Sequence, residues 1–112
     1  MNIHNITRQT IIADKVTLAD NPIKRMRGLL GRSSLGTKEA LIISPCQSVH
    51  MLFMRFAIDV IFLGKQNKII GLCQNLPPFA FSPIFWKSSC AIELAAGTIK
   101  QTGSSIGDQI EF

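Results

Sequence analysis

The stretch Ser48-Val-His-Met-Leu-Phe-Met-Arg-Phe-Ala-Ile-Asp-Val-Ile-Phe-Leu63 decides how this chain is read. From Ser48 to Met54, Val49, Met51 and Phe53 alternate with His50, Leu52 and Met54, so both sides of an extended segment are apolar apart from His50. Ile58 to Leu63 repeats the pattern, with Asp59 its only charge. Strands apolar on both faces lie inside a barrel, in a sandwich or beneath a helix. The pattern therefore predicts strands over 48–54 and 58–63 in a β-rich domain covered on both sides. The polar segment Gly64-Lys-Gln-Asn-Lys68 then reads as a turn, pairing 58–63 with 69–74 as a hairpin.

Working outward, Thr10 to Leu18 reads as an opening strand. A helix follows, capped by Asp20 with Pro22 in its first turn, where the missing N–H costs nothing. At about 100° per residue, Ile23, Met26, Leu29 and Leu30 share one side, Arg25 and Arg32 face water, and Arg27 lies beside the apolar stripe. Gly31 marks the expected end of this helix. Leu41-Ile-Ile-Ser44 reads as a strand stopped by Pro45. Ala91-Ile-Glu-Leu94 is a further strand, Ala95–Gln101 a short helical or turn segment, and Asp108–Phe112 a closing strand. Residues 76–87 contain Pro77, Pro78 and Pro83 and cannot form a regular element. The expectation is one α+β, β-rich domain over residues 1–112: a small barrel-like or sandwich-like mixed sheet with one helix on its N-terminal side and a short second helical segment.

Composition supports this and excludes several alternatives. Hydrophobic residues make up 46% of the 112 residues and charged ones 17%, which excludes a disordered chain and a coiled coil. The length excludes a second independent core. The three cysteines, Cys46, Cys73 and Cys90, show no CxxC spacing, so neither a disulfide framework nor a metal site is expected. Isolated thiols suit a reducing compartment. The opening Met1-Asn-Ile-His-Asn-Ile-Thr-Arg8 lacks the apolar core of a secretory leader. The greasiest stretch is interrupted by Arg55 and Asp59 and is too short to span a bilayer. A cytoplasmic protein without a membrane span is expected. The net charge of +5 resides entirely in residues 1–38. Aromatic and basic residues are separate along the chain, which disfavours nucleic acid.

Chemistry is sought where ionisable groups interrupt apolar runs, since an unpaired buried charge is costly. Arg55 against Asp59, with His50 nearby, forms either a structural polar pin or, joined by Arg27, a site for a small polar or anionic ligand. Cys46 and His50 are an alternative nucleophile–base pair. They lie roughly 13 Å apart in an extended chain, so this enzymatic reading requires a turn at Gln47 and Ser48. No Gly-rich phosphate loop is present, and no cofactor is expected. Phe79, Phe81, Phe85 and Trp86 within 76–87 form a candidate patch for a protein partner. The sequence leaves the oligomeric state open.

Three ordered blocks, Lys24-Arg-Met-Arg-Gly-Leu-Leu-Gly-Arg32, Pro45 to Leu63, and Ile92-Glu-Leu-Ala-Ala-Gly97 with Gly107-Asp108, resemble the signature blocks of the domain of unknown function 192 family. The resemblance implies a β-rich, barrel-like fold with a helix near its N-terminal side, and it implies no enzymatic activity. It singles out Arg27, Gly28, His50, Met54, Arg55, Asp59, Glu93, Gly97 and Asp108. From these the expected ligand site is Arg27, His50, Met54, Arg55, Asp59 and Glu93. Ala57 departs from the family pattern, which has proline there, and residues 76–87 are greasier than the family's loop. The leading expectation is a non-enzymatic ligand-binding domain, with an interaction module built on 76–87 as the alternative.

Overall fold

The computed structural model describes the backbone of residues 1–112 and the side chains of all of them except Pro22, Met26 and Arg27. A strand apolar on both sides needs a neighbour along each edge and a cover over each face. Ile58–Leu63 (β5 in chain order) has all of these, and every one of its residues is buried. It pairs antiparallel with β6 (Ile69–Leu76), as the hairpin reading predicts, and with β7 (Cys90–Ala95) on its other edge. β7 pairs antiparallel with β4 (Glu39–Ile43), which runs parallel to β3 (Lys15–Ala19). The resulting order is β3-β4-β7-β5-β6.

A second sheet has the order β2-β1-β8, from Thr10–Ala13, Ile3–Asn5 and Ile110–Glu111. The two sheets meet at both margins. β2 continues through Asp14 into β3, while a bridge between Lys68 and Gln109 links the start of β6 to the approach of β8. The strands thereby wrap an interior that includes Ile3, Ile12, Ile42, Ile61, Ile92 and Leu94. A short helix, α2 (Thr98–Thr102), also buries Ile99 there. The α+β, β-rich, barrel-like expectation is the observed architecture.

The outer face of the five-stranded sheet is covered too. Leu41, Ile43, Val60, Phe62 and Ala91 pack there beneath Leu29, Leu35, Val49, Met51 and Met54. This second apolar layer explains why β4, β5 and β7 are greasy on both faces. Among the described residues no helix is long and apolar enough to cross a membrane.

Three local expectations are corrected. The single strand over 10–18 is two strands belonging to different sheets. They divide at exposed Asp14, where the N–H groups of Asp14 and Lys15 both donate to the Lys38 carbonyl, at 2.9 and 3.1 Å. The helix α1 spans only Pro22–Arg27. Asn21, not Asp20, caps it by accepting from the Lys24 N–H at 2.9 Å, and Gly28 ends it at φ 48° rather than Gly31. Ile23 is consequently 78% exposed, and Leu29, beyond the helix, supplies the buried contact.

The third correction concerns 48–54, which is an irregular loop and not a strand. It bonds to the proline-broken segment instead: Met51 N–H to the Ala80 carbonyl, Phe79 N–H to Met51, Ser82 N–H to Val49 and Phe85 N–H to Gln47, all between 2.7 and 2.9 Å. Pro77, Pro78 and Pro83 offer no N–H, so no regular ladder forms there. Val49, Met51 and Met54 are buried because the loop lies on the outer sheet face, whereas Phe53 points away from it and is exposed.

Candidate functional site

Glu93 sits in the middle of β7, opposite Leu41 on one side and Val60 on the other. The strand alternates, so Ile92 and Leu94 point to the barrel interior and Glu93 to the outer face. There it forms the floor of a cavity of about 460 Å³. Leu29, Ile43, Val49, Met51 and Met54 contribute apolar walls, while Arg25, Cys46, His50 and Trp86 also border the space. The cavity exists because Gly28 turns the chain out of α1 and the 45–54 loop arches over the sheet. That arch is held by the Gln47 side-chain amide donating to the Trp86 carbonyl at 2.8 Å and the Val49 N–H donating to the Ser82 hydroxyl at 2.9 Å.

The Glu93 side chain is buried, and among the described residues nothing donates a hydrogen bond to it. Every fully sealed side-chain nitrogen or oxygen among those residues has a partner, so the Glu93 oxygens open onto the cavity. Burial pushes its carboxyl up to about 7. The neighbouring polar groups are engaged elsewhere. Arg25 Nη1 donates to the Ser44 carbonyl at 3.3 Å, and the Cys46 thiol donates to the Ser48 carbonyl at 3.1 Å. His50 is exposed at the mouth, where its Nδ1 accepts from the Leu52 N–H at 3.4 Å.

Of the residues expected from sequence, His50, Met54 and Glu93 are brought together. Arg55 and Asp59 are not part of this cavity, and they do not pair with each other. Asp59 is fully buried on the opposite sheet face, where its carboxylate accepts the N–H groups of Asn75, Gly97 and Ile99 at 2.9, 3.1 and 2.9 Å. The polar pin exists, but backbone amides supply it and Arg55 stays exposed. The Arg27 side chain lies outside the described residues. Among the described residues Arg25, which helical spacing turns toward water, borders the cavity.

Cys46 and His50 both border the cavity, yet each bonds to a backbone group and not to the other. Burial pushes the Cys46 thiol up to about 11, which keeps it protonated and leaves the nucleophile–base arrangement without its thiolate. Among the described residues no group of three or more His, Cys, Asp or Glu is arranged to hold a metal ion. Asp108 belongs to a separate clamp, accepting from Asn5 Nδ2, Arg8 Nε and the Ser105 N–H at 2.9, 3.0 and 2.9 Å. Burial raises its carboxyl, but these donors outweigh burial and hold it below the usual carboxylate range. Arg32 forms a two-pronged ion pair with Glu39 at 2.7 and 2.9 Å.

In the aromatic segment, Phe79, Phe81 and Trp86 are 59%, 67% and 73% exposed, and Phe53 stands edge-on to Phe79 at 6.0 Å. Phe85 is different. Its ring lies 4.5 Å from that of Phe62 and directly over Gly71, where a Cβ would come within 2.5 Å of it. Sequence reading missed Cys46 and Trp86 as neighbours of Glu93, because no local pattern reports which loops close over a strand.

Together these features define a class: a small β-rich, barrel-like domain with an acid-floored cavity on its outer sheet face. The chain matches the family described as Uncharacterized ACR, the domain of unknown function 192, over residues 3–112, and it belongs to that family. A UPF0127 protein of Pyrococcus furiosus is 34% identical over 96% of this chain and 95% of its own length. A UPF0127 protein of Thermococcus sibiricus is 30% identical over 96% of this chain and 72% of its own length. A crystal structure of a protein of unknown function from Novosphingobium aromaticivorans shares the fold, with a TM-score of 0.85 and 20% identity over 99% of this chain and 82% of that one.

Proposed function

We propose that this protein is a non-enzymatic small-ligand-binding domain whose ligand occupies the cavity above Glu93. The observation that carries this reading is the buried carboxyl itself. A buried carboxyl to which none of the described residues donates costs several kcal/mol relative to an apolar residue of similar size, and a bound ligand that donates to it offsets that cost. The cavity volume of about 460 Å³ falls within the range of small-molecule sites. An anionic ligand held by Arg27, His50 and Arg55 is disfavoured, because Arg55 is elsewhere and an acid forms the floor.

A fragment screen by thermal shift and ligand-observed NMR tests this reading, comparing the wild-type chain with Ser48→Trp. Ser48 is exposed at the cavity border, so an indole there fills the space without disturbing the core. Fragments that bind the wild type and lose binding in the folded Ser48→Trp variant support the reading. A screen in which no fragment distinguishes the two sinks it.

A second reading, a protein-interaction surface, is supported by the exposure of Phe53, Phe79, Phe81 and Trp86. Phe85 is excluded from it by its packing on Phe62. Phe81→Ser with Trp86→Ser then abolishes partner capture or self-association while leaving the melting temperature unchanged; unaltered association rules the surface out.

A further inference from the structure

We propose that the cavity selects small organic ammonium ions, with an apolar body between Leu29, Val49, Met51 and Met54 and the ammonium group held against the Glu93 carboxylate. This rests on the ligand-binding reading above and deepens it by naming the ligand's chemistry. An ionised carboxylate accepts hydrogen bonds and donates none, so its complement must be a donor. Among the described residues the hydrogen bonds that the cavity's donors make go elsewhere and not to Glu93: Arg25 Nη1 to the Ser44 carbonyl, the Cys46 thiol to the Ser48 carbonyl, and the Gln47 amide to the Trp86 carbonyl. Glu93 is the acid of this lining, buried and bonded by none of the described residues. A hydroxyl or amide satisfies it with one neutral bond. An ammonium adds charge neutralisation in a low-dielectric space, where a charge-assisted bond is roughly twice as strong. A carboxylate or phosphate ligand is repelled.

The charges and titratable groups around Glu93 make the selectivity dependent on pH. Arg25 on α1 and Cys46 and His50 on the arching loop border the same space, and Leu41 and Val60 on the paired strands bring no charge. With the Glu93 carboxyl held up at about 7 by burial, binding an ammonium displaces a proton below that pH. Affinity therefore rises close to tenfold per pH unit from about pH 5 to 7. It levels above 7 until the ligand amine itself loses its proton near pH 10. Arg25 opposes a second positive charge, so Arg25→Gln strengthens binding.

Three isosteric probes test this: benzylamine, benzyl alcohol and benzoate, titrated by NMR and calorimetry between pH 5.5 and 8.5. The expected result is benzylamine binding at least tenfold more tightly than benzyl alcohol at pH 8, with benzoate not binding. In Glu93→Gln that preference and its pH dependence both disappear, and in Glu93→Asp the preference is reduced. Ser48→Trp removes binding of every probe. Equal or tighter binding of benzyl alcohol or benzoate, lost in Ser48→Trp, overturns the ammonium assignment while leaving the ligand-binding reading in place. A pH-independent benzylamine affinity also overturns it. If none of the three probes binds, the assignment fails, and the fragment comparison above judges the cavity separately.

Discussion

Asp59 and Glu93 lie one register step apart on paired strands and project from opposite faces of the same sheet. Val60 is opposite Glu93 and Asp59 is opposite Leu94, so the alternation of β5 and β7 sends the two acids in opposite directions. Asp59 enters the barrel side and is satisfied by three backbone N–H groups. Glu93 enters the cavity, where none of the described residues donates to it. One acid is therefore held by the backbone, and the other faces the cavity.

The Glu93 carboxyl gives stability a characteristic pH dependence. Its ordinary value of 4.5 is raised to about 7 by burial, so the folded chain holds a proton that the unfolded chain has released. Stability is unaffected below about pH 4.5, falls as pH rises to about 7, and is level above that. Glu93→Gln removes this loss, raising stability at pH 8 by about 3 kcal/mol with little change at pH 4. Urea unfolding at both pH values checks this, and a Gln variant no more stable than wild type at pH 8 refutes it.

Asp59 and Arg55 are predicted to behave as unrelated residues. Asp59→Ala strands the N–H groups of Asn75, Gly97 and Ile99 and costs on the order of 3 kcal/mol. Arg55→Ala, at an exposed position, changes stability by no more than about 0.5 kcal/mol. A double-mutant cycle in denaturant yields no coupling between them; a coupling above about 1 kcal/mol restores the ion pair.

Phe85 and Trp86 are adjacent in sequence and opposite in consequence. Phe85→Ala opens a gap beside Phe62 and costs about 2 kcal/mol or more, whereas Trp86→Ala is nearly neutral. Gly71→Ala forces its new methyl into the Phe85 ring and costs roughly 1–3 kcal/mol. Placed on a Phe85→Ala background, the Gly71 substitution loses most of its cost. Unfolding midpoints of the two single variants and the double variant decide the point.

Cys46 is expected to be a slow thiol. Held at about 11 by burial, it carries about a hundredth of the thiolate of an ordinary cysteine near pH 8. Iodoacetamide labelling followed by mass spectrometry then gives a rate well below that of free cysteine. A rate at or above that of free cysteine would return Cys46 and His50 to consideration as a nucleophile and its base.

The β5–β6 hairpin, β7 and the irregular 76–87 segment were legible because periodicity, turn residues and proline act locally. The α1 boundary was not, since Asp20 and Asn21 are both competent caps, and Gly28 and Gly31 are both competent stops. The segment 48–54 was misread for a related reason. Burial by a loop and burial by a sheet leave the same apolar pattern, and only the prolines of the facing segment prevent a ladder. Within the site, Glu93 and His50 were identifiable as residues, but their company was not. Arg55 and Asp59, four apart in the most suggestive block, proved to face different surroundings.

By itself the sequence determined a β-rich fold with greasy strands on both sheet faces and a few ionisable groups embedded in them. It also determined that Asp59 and Glu93 each sit within a strand of alternating sides. Only the tertiary structure decided which side of each strand is barrel interior and which is roofed by the 45–54 loop. The physical reason is that alternation is a local property of the chain, whereas the donors that satisfy a buried acid come from segments distant in sequence. For Asp59 those donors arrive from β6 and the start of α2. At Glu93 the described residues bring no donor, and the arching loop encloses an open space there.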